Sequence, residues 1–561
     1  MAVPLRMNTP ITRAWVPFVA AMGVALASGL LTMVPAPVVG SLTPDPTEHL
    51  AIAHAWVHGS GFVDPVKWNY YLPESVPLPA WAVRAPIISI LAAIPLALGA
   101  TLDGVLVLHK VWASLIAGAT VLVACRFMRP LAATAAALLL VLSPEWVLLV
   151  QAPVTEVTAL AAYLAVLATA RGVLRSVPGA LLCAVVTVLA WLTRHVLGAL
   201  APAVLAAAVW EAGAKDSVRR APIWAYGIGF AALYACIQLA LTAATGHGVY
   251  AGYGFVGEML SYKDIWPYEK QYVGTWTFAL AHGGEILEQM RLRVAQLYEI
   301  LCLMPMFNYV GWLIPPAVLY AIVRRRDGAL EHRINAFSVL GFSLIFILTY
   351  AVGDPRFALL PAAGASFCGL AMLDEAAQRL ERRLRSQGGR RASSLLGAAP
   401  LVGVLLLFAV GTAGKTLPFT RALWTQYRQQ YDVTEITQRS LEAPWREICP
   451  HMNKDAIVAD AYPWGFALLF CGNATVKLPA DLTSRELQSR FIDEQHPEYF
   501  ISVDGKPLWL RKSERLREVA NSGGVTLFEV RDAAPESRPW NAPPPLVCAG
   551  RGPDCARRFG R

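Results

Sequence analysis

About eleven apolar segments of roughly membrane-spanning length run along this chain, and they limit its fold more than any other feature. Hydrophobic residues make up 56% of the 561 residues and charged residues only 16%, which is more apolar surface than a soluble chain can bury. We therefore predict a mainly α-helical, polytopic transmembrane bundle with a small soluble part. The segments cover residues 15–39, 103–125, 131–150, 157–171, 177–192, 196–213, 221–243, 309–323, 334–352, 356–373 and 395–413.

A further apolar run, 85–98, could either cross the membrane or lie half-embedded, and the distribution of charge favours the second interpretation. If this run does not cross and the N-terminus is cytoplasmic, every cytoplasmic connection is basic, as the positive-inside rule requires. The basic residues of these connections are Arg6 and Arg13; Arg126 and Arg129; Arg171 and Arg175; Lys215, Arg219 and Arg220; Arg324, Arg325, Arg326 and Arg333; and Arg379, Arg382, Arg383, Arg385, Arg390 and Arg391. We therefore predict about eleven crossings of the plasma (inner) membrane, with an exocytoplasmic C-terminal domain. This distribution explains the net charge of +9 without a nucleic-acid partner.

The predicted topology divides the chain into a membrane module, a soluble outer domain and a tail. The membrane module covers residues 1–414, and its outer loops are 41–84, 143–156 and 244–308. Residues 415–534 are predicted to form a small α/β domain, and the Pro-, Arg- and Gly-rich residues 535–561 a disordered tail. In the outer domain we expect strands at 456–461, 474–478, 499–503 and 525–530 and helices at 483–494 and 513–520.

Two carboxylates, Asp45 and Glu48, follow the first apolar segment and lie at the edge of the membrane. The run Asp45-Pro46-Thr47-Glu48 has the pattern of a helix-capping box, which is a purely structural role. Ionisable residues at membrane depth are also functional candidates. Glu156 lies on the same outer side at the start of a later helix, where an acid suits the helix dipole. Acids that meet on one face could take a proton from an acceptor hydroxyl or bind a divalent cation.

Three arginines, Arg84, Arg194 and Arg356, lie on the outer side, against the charge rule. Arg194 and Arg356 stand at or near helix N-termini, where a positive charge is disfavoured. Each therefore needs either a carboxylate partner or a bound anion. Asp354 is a possible partner for Arg356, and a lipid phosphate is the alternative, because guanidinium binds phosphate oxygens in a bidentate fork.

Other chemistry-bearing residues carry weaker signals. The loop 244–308 is rich in aromatic side chains, which could stack on sugar rings or form an interfacial belt. His49, His54 and His58 have helical spacing without support for a metal site, and the metal requirement stays unknown. None of the nine cysteines forms a CxxC pair, but a disulfide is possible for Cys449 and Cys471 in the outer domain.

The order of these residues resembles the GT-C superfamily of membrane glycosyltransferases. The likeness is to the bacterial branch related to protein O-mannosyltransferases and to the aminoarabinose transferase of lipid A. The matching residues are Asp45, His49, Ala53 and Gly59-Ser60-Gly61-Phe62; Arg84-Ala85-Pro86; Glu156; Leu192-Thr193-Arg194; Gly353-Asp354-Pro355-Arg356; and Asp460-Ala461-Tyr462-Pro463-Trp464. The chain departs from the family at Pro46, where a second acid is usual, at His49, where tyrosine is usual, and at Ala85, where proline is usual.

The resemblance implies an inverting transfer of one sugar from a polyprenyl-phosphate carrier to an envelope lipid, glycan or protein outside the cytoplasm. Asp45 would be the general base, and Glu156 would position the acceptor or a metal. Arg84, Arg194 and Arg356 would hold the donor phosphate, and Glu48, His49 and Asp354 are secondary candidates. The resemblance implies no certain cofactor, although a divalent cation is possible.

Two other functions compete with transfer. A transporter or flippase of a lipid-linked precursor would carry its site near the membrane midplane, often in repeated halves, whereas the charges here lie at one face. A non-catalytic protein that binds a partner through its outer domain would tolerate substitution of Asp45 and Arg356 but not of residues 420–530.

Overall fold

Apolar helices build most of the computed structural model. It describes residues 10–32, 44–67, 76–151, 153–213, 220–251, 280–323, 330–349, 355–386, 442–460, 466–479, 484–503, 507–531, 543–550 and 553–557, and the single residues 403, 414, 418, 421, 482 and 505. The helices of the membrane module are α1 (Pro10–Thr32), α2 (Pro44–Val57), α3 (Ala80–Val83), α4 (Pro86–Ala97), α5 (Leu102–Ala124), α6 (Pro130–Val141), α7 (Pro144–Leu149), α8 (Thr155–Thr169), α9 (Gly172–Arg175), α10 (Val177–Thr193), α11 (Leu200–Ala212), α12 (Arg220–Thr245), α13 (Gly283–Tyr298), α14 (Ile314–Val323), α15 (Leu330–Thr349) and α16 (Leu359–Ser386).

Local signals in the sequence explain where several of these helices begin. Thr101 caps α5 by accepting a hydrogen bond from the Gly104 backbone N–H at 3.1 Å. Ser143 and Ser176 cap α7 and α10 in the same way, and each is followed by proline in the first turn. The apolar faces of these helices then pack into one large core.

Seven helices in the described part of the chain are long and apolar enough to cross a membrane. Four further apolar helical segments are shorter, and the run 395–413 lies almost entirely outside the described residues. The predicted number of about eleven crossings is therefore not confirmed. Among the short segments is α4, whose 12 residues reach about 18 Å, less than the hydrocarbon thickness of about 30 Å.

The outer domain is built on a six-stranded sheet with the order β2-β5-β4-β6-β8-β7. Its strands are β2 (Val66–Lys67), β4 (Ile457–Asp460), β5 (Ala474–Lys477), β6 (Tyr499–Val503), β7 (Leu516–Ser522) and β8 (Val525–Val530). The helices α17 (Phe466–Cys471) and α18 (Arg485–Gln495) also belong to this domain. The four strands predicted from the sequence are all present. The edge strand β2 was not predicted in this sheet, because it comes from the first outer loop and pairs in parallel with β5. A shorter ladder in that loop joins β1 (Val63–Asp64) to β3 (Leu78–Pro79).

The prediction of a helix at 513–520 was wrong, because this stretch contributes to β7. Its composition favours a helix, but β7 forms a hairpin with β8 and pairs with it from Leu516 to Ser522, with a register shift between Glu518 and Ala520. Gly523 and Gly524 both have positive φ, at 52° and 85°, as a tight hairpin turn requires. Tertiary pairing therefore outweighs the local propensity.

The prediction that 535–561 is disordered was wrong for residues 543–550 and 553–557, which the structure describes. Leu546 and Val547 are buried in a core that also contains residues of α2, α4 and α5. Cys548 and Cys555 form a disulfide, and the Pro544 carbonyl oxygen lies 2.9 Å from His54 Nε2. Composition alone could not predict these contacts. A Pro- and Arg-rich segment can adopt a defined structure when a disulfide and a few buried apolar side chains hold it in place.

A second disulfide joins Cys449 to Cys471, the pair that the sequence left open. Both bonds lie in the segments that follow the membrane module, and the other five cysteines are free. Disulfides persist in oxidising compartments outside the cytoplasm.

We predict that alkylation of the denatured, unreduced protein will modify five of the nine cysteines, and that reduction will make all nine reactive. Intact-mass measurement before and after reduction counts the modified thiols. Modification of all nine cysteines without reductant would show that neither disulfide forms.

Candidate active site

The helix α2 carries the first part of a charged cluster. Asp45, Glu48 and His49 are spaced three and four residues apart, so their side chains lie on one face of the helix. Glu48 and His49 are buried, whereas the Asp45 side chain is 28% exposed. Asp45 lies in the first turn of α2, and its carboxylate faces two arginines from elsewhere in the chain.

Arg84 lies at the junction of α3 and α4 and joins two of these acids. Its Nη2 atom is 3.1 Å from Asp45 Oδ1 and also donates to Glu48 Oε2. The guanidinium is almost completely buried. Pro86 directly after this junction begins α4 and favours an extended backbone at Ala85, which separates the two helices.

Arg356 and Arg194 complete the cluster from the other side. Arg356, in the short turn before α16, places Nη1 2.7 Å from Asp45 Oδ2 and Nε 3.9 Å from Glu156 Oε1. Arg194, at the end of α10, places Nη1 2.7 Å from the same Glu156 oxygen and donates to Thr155 Oγ1 at 2.5 Å. The chain of ion pairs is therefore continuous from Glu48 to Arg194.

Phe357 lies between the two later arginines. The guanidinium carbon of Arg356 is 4.7 Å from the centre of the ring, and that of Arg194 is 5.3 Å from it. Both distances are within cation–π range. The ring thus helps to keep two like charges close together.

The electrostatics of the cluster hold Asp45 ionised and His49 neutral. Burial favours the neutral form of Asp45, but the charges of Arg84 and Arg356 outweigh it and keep the pKa of this carboxyl well below its usual range. Burial and the field of Arg84 lower the pKa of His49 to about 3, although Asp45 opposes them. The His49 Nδ1 atom is 3.2 Å from Ser89 Oγ on α4, so a neutral imidazole connects the two helices.

The cluster pairs each of its carboxylates with a guanidinium group. Three carboxylates, those of Asp45, Glu48 and Glu156, face three guanidinium groups. The nearest guanidinium nitrogen is 2.7 Å from an oxygen of Asp45 and 2.7 Å from an oxygen of Glu156, and Glu48 bonds directly to Arg84. In the part of the chain that the structure describes, no group of three or more His, Cys, Asp or Glu side chains is placed to hold a metal ion. An incoming phosphate, by contrast, would find guanidinium groups that already converge.

The structure brings together Asp45, Glu156, Arg84, Arg194 and Arg356 and adds the secondary candidates Glu48 and His49. Asp354 lies outside the described residues, as do most of the aromatic residues of the loop 244–308. Tyr250 of this loop is described, and its hydroxyl donates to the Trp191 carbonyl at 2.9 Å.

Sequence reasoning missed Phe357, Thr155 and Ser89. Phe357 and Thr155 directly adjoin predicted site residues, which is the signal that could have found them. Ser89 carries no such signal.

Comparisons with known proteins identify the fold. No protein-family model and no curated protein sequence matches the chain. The crystal structure of the Archaeoglobus fulgidus oligosaccharyltransferase tethered with an acceptor peptide matches with a TM-score of 0.54 at 13% identity. The same enzyme, AglB, in complex with an inhibitory peptide and a dolichol-phosphate matches with a TM-score of 0.53 at 13% identity. Both matches cover 89% of this chain and 70% of the other.

The crystal structure of ArnT from Cupriavidus metallidurans bound to undecaprenyl phosphate matches over a larger share. It covers 95% of this chain and 100% of that chain, at 14% identity and a TM-score of 0.46. The two oligosaccharyltransferase matches, with TM-scores above 0.5, show that this chain shares their fold. This agrees with the resemblance to GT-C glycosyltransferases that the sequence motifs indicated.

We predict that Arg194→Ala will destabilise the protein by about 3 kcal/mol, because it leaves the buried Glu156 carboxylate without its nearest partner. Thermal unfolding in detergent measures the effect. The matched control is Arg175→Ala, an exposed arginine, which should change stability by less than about 0.5 kcal/mol. The double variant with Glu156→Ala should recover part of the loss, and an equal or larger loss would contradict the pairing.

Proposed function

We propose that this chain is a glycosyltransferase that moves a sugar from a polyprenyl-phosphate-linked donor to an acceptor on the outer side of the membrane. The observation that carries the proposal is the convergence of three arginines on Asp45 and Glu156. The cluster lies in a bundle that shares its fold with an oligosaccharyltransferase solved in complex with dolichol-phosphate.

The donor phosphate would bind at the guanidinium groups of Arg84, Arg194 and Arg356. Arginine suits this role because its planar fork contacts two phosphate oxygens at once. The Arg356 side chain is 24% exposed, so it is the most accessible of the three. A lipid carrier could keep its chain among the apolar helices while its phosphate reaches this cluster.

Asp45 would act as the general base. Its carboxylate takes the proton of the acceptor hydroxyl while the hydroxyl oxygen forms a bond to the anomeric carbon of the sugar. The bond between that carbon and the phosphate oxygen breaks, its electron pair stays on the phosphate, and polyprenyl phosphate leaves. Attack from the face opposite the phosphate inverts the anomeric centre, and the arginines stabilise the charge on the leaving group.

The ion pairs of Asp45 make this step depend on the donor. In the structure, Arg84 and Arg356 hold the pKa of Asp45 well below its usual range, which makes the carboxylate a weak base. A phosphate competes with Asp45 for the same two guanidinium groups. Donor binding would therefore weaken their hold on Asp45 and raise its proton affinity when the reaction needs it.

Glu156 would position the acceptor or a divalent cation beside Asp45. The acceptor is an envelope lipid, glycan or protein, and the sugar is a hexose or pentose. The two disulfides support an exocytoplasmic place for the outer domain, since such bonds persist in oxidising compartments. This agrees with a multi-pass protein of the plasma membrane that has a cytoplasmic N-terminus.

The alternative function, a transporter or flippase of a lipid-linked precursor, has less support. The charged cluster lies at helix ends, at the start of α2, α8 and the turn before α16 and at the end of α10. Transporter sites instead occur near the membrane midplane. Flux of labelled carrier lipid across vesicles without a covalent product would favour transport.

We predict that Asp45→Asn will lower kcat for transfer by about 10²–10⁴-fold, because the amide cannot accept the proton. Transfer from a polyprenyl-phosphate sugar by the purified protein in lipid is the measurement. A thermal unfolding scan of the variant checks that the fold persists, and wild-type kcat in the folded variant would remove Asp45 as the base.

We predict that Arg356→Ala will raise the KM for the donor more than it lowers kcat, because a phosphate contact is lost in both the ground state and the transition state. Arg485→Ala, an exposed arginine of the outer domain, is the matched control and should leave both constants unchanged. An unchanged donor KM in Arg356→Ala would exclude this residue from the phosphate site.

We expect mass spectrometry of envelope lipids and glycans from a deletion strain to show the loss of one sugar. The missing group would identify donor and acceptor together. An unchanged profile of lipids, glycans and glycoproteins would contradict the transferase assignment.

A further inference from the structure

We propose that Asp64 is a neutral, protonated acid that hydrogen-bonds to Glu48 and thereby positions Arg84 for the donor phosphate. The presence of a proton on Asp64 is inferred from the structure alone. Only the effect of that proton on transfer rests on the proposed function. Asp64 is a positioning residue in this account, because it acts through Glu48 and does not touch the substrate.

Glu48 and Asp64 are both completely buried. Glu48 Oε2 accepts from Arg84, and Asp64 Oδ1 accepts from the Val66 backbone N–H at 2.9 Å. Each carboxyl has one further buried oxygen, Oε1 of Glu48 and Oδ2 of Asp64, that meets no donor as long as both acids are ionised. The two side chains lie within hydrogen-bonding reach of each other, so a proton on one of them would let it donate to the other.

An ionised carboxylate can only accept hydrogen bonds, so two ionised carboxylates cannot bond to each other. One of the two must carry a proton. Glu48 Oε2 forms an ion pair with the Arg84 guanidinium, whereas Asp64 Oδ1 accepts from a backbone N–H. Burial and the negative Glu48 raise the pKa of Asp64 well above its usual value, while Arg84 and the Val66 N–H oppose this. The proton therefore resides on Asp64.

The charged groups that act on Asp64 come from two elements packed against it. Glu48 on α2 raises its pKa and Arg84 between α3 and α4 lowers it. The nearby Lys67 on β2 is buried and donates from Nζ to Gln495 Oε1 on α18 at 2.9 Å, so its charge is directed into the outer domain.

The position of Asp64 explains why its proton matters for the site. Loss of the proton would place a second negative charge against Glu48 and beside Arg84. Arg84 would then be drawn towards two buried carboxylates and away from Asp45, whose Oδ1 atom is now 3.1 Å from it. The same guanidinium would be less available to a phosphate, so transfer should fall at alkaline pH.

Asp64 also connects the site to the outer domain. It ends β1, and after Pro65 the chain continues into β2, the edge strand of the six-stranded sheet. The Pro65 carbonyl accepts from the Thr475 backbone N–H at 2.8 Å. The hydrogen bond between Asp64 and Glu48 therefore joins the sheet to the helix that carries the proposed base.

The first experiment needs no transfer activity and compares the melting temperature of the wild type with that of Asp64→Asn across pH. An amide can donate to Glu48 and still accept from Val66, so the variant mimics the protonated acid at every pH. A group whose pKa is raised by folding stabilises the fold below its unfolded pKa, and that stability is lost as pH rises through the folded pKa. The melting temperature of Asp64→Asn relative to the wild type should therefore increase with pH, by about 2 °C or more between mildly acidic and alkaline buffer.

The control for this comparison is Asp103→Asn, which changes an exposed acid in the first turn of α5 in the same chemical way. Its difference from the wild type should not depend on pH over this range. If the difference for Asp64→Asn is equally independent of pH, Asp64 is not a protonated partner of Glu48 and the proposal is overturned.

The second experiment measures transfer against pH in the same proteins. Wild-type kcat/KM for the donor should fall about tenfold per pH unit above the pKa of Asp64. Asp64→Asn should retain neutral-pH transfer and lose this alkaline limb, whereas Asp64→Ala, which supplies no donor, should lose transfer at every pH. An alkaline limb that persists unchanged in folded Asp64→Asn would contradict the positioning role.

The two experiments separate the two proposals. A pH-dependent difference in melting temperature in a wild-type protein that transfers no sugar would establish the proton on Asp64 and refute the proposed function. Normal wild-type transfer with no pH-dependent difference in melting temperature would support the proposed function and refute the proton on Asp64.

Discussion

Neutralisation of charge at the helix ends of an apolar bundle is the constraint on which the rest of this structure depends. Arg84, Arg194 and Arg356 lie there, and carboxylates compensate them pair by pair. The partners are distant in sequence, since Arg84 meets Asp45 and Arg356 reaches both Asp45 and Glu156. Removing one partner of a buried pair would leave an uncompensated charge, so the cluster ties the starts of α2 and α8 to the end of α10 and the turn before α16.

The same ion pairs stabilise the fold and restrain the proposed chemistry. A carboxylate held by two guanidinium groups is a poor base, and guanidinium groups held by carboxylates are partly occupied phosphate ligands. In the proposed reaction, a donor phosphate would remove both restraints in one exchange, because it would take over the arginines and release Asp45. On this account, the stability of the empty site and the reactivity of the occupied site depend on the same few atoms.

The outer domain is integrated into the site more closely than a separate module would be. The strand β2 of the first outer loop forms an edge of its sheet, and the tail packs Leu546 and Val547 into a core shared with α2. The helix α2 therefore has its charged face in the site and other contacts with the soluble part. Changes in the outer domain can reach Asp45 through this helix and through the link between Asp64 and Glu48.

Much of the candidate site could be predicted from the sequence. Asp45 and Glu156 stand out as acids at the membrane edge, and Arg84, Arg194 and Arg356 stand out because they oppose the positive-inside rule. The partners of these residues were not predictable in the same way. Asp354, which adjoins Arg356 in sequence, lies outside the described residues, and the structure adds Asp45 and Glu156 as ion-pair partners of Arg356 that the sequence did not predict.

The sequence by itself determined that this chain is a mainly helical membrane protein with a small C-terminal α/β part and with acids and arginines near the ends of its apolar segments. Those properties follow from hydropathy, periodicity and charge, which are local along the chain. Only the tertiary structure decided that residues 516–522 form a strand, that Leu546 and Val547 are buried beside the Cys548–Cys555 disulfide, and that Asp64 lies against Glu48. Each of these features depends on contacts that local sequence patterns do not reveal. Strand pairing overrides the local helical preference of residues 516–522, and the tail and Asp64 gain partners that their neighbours in sequence do not supply.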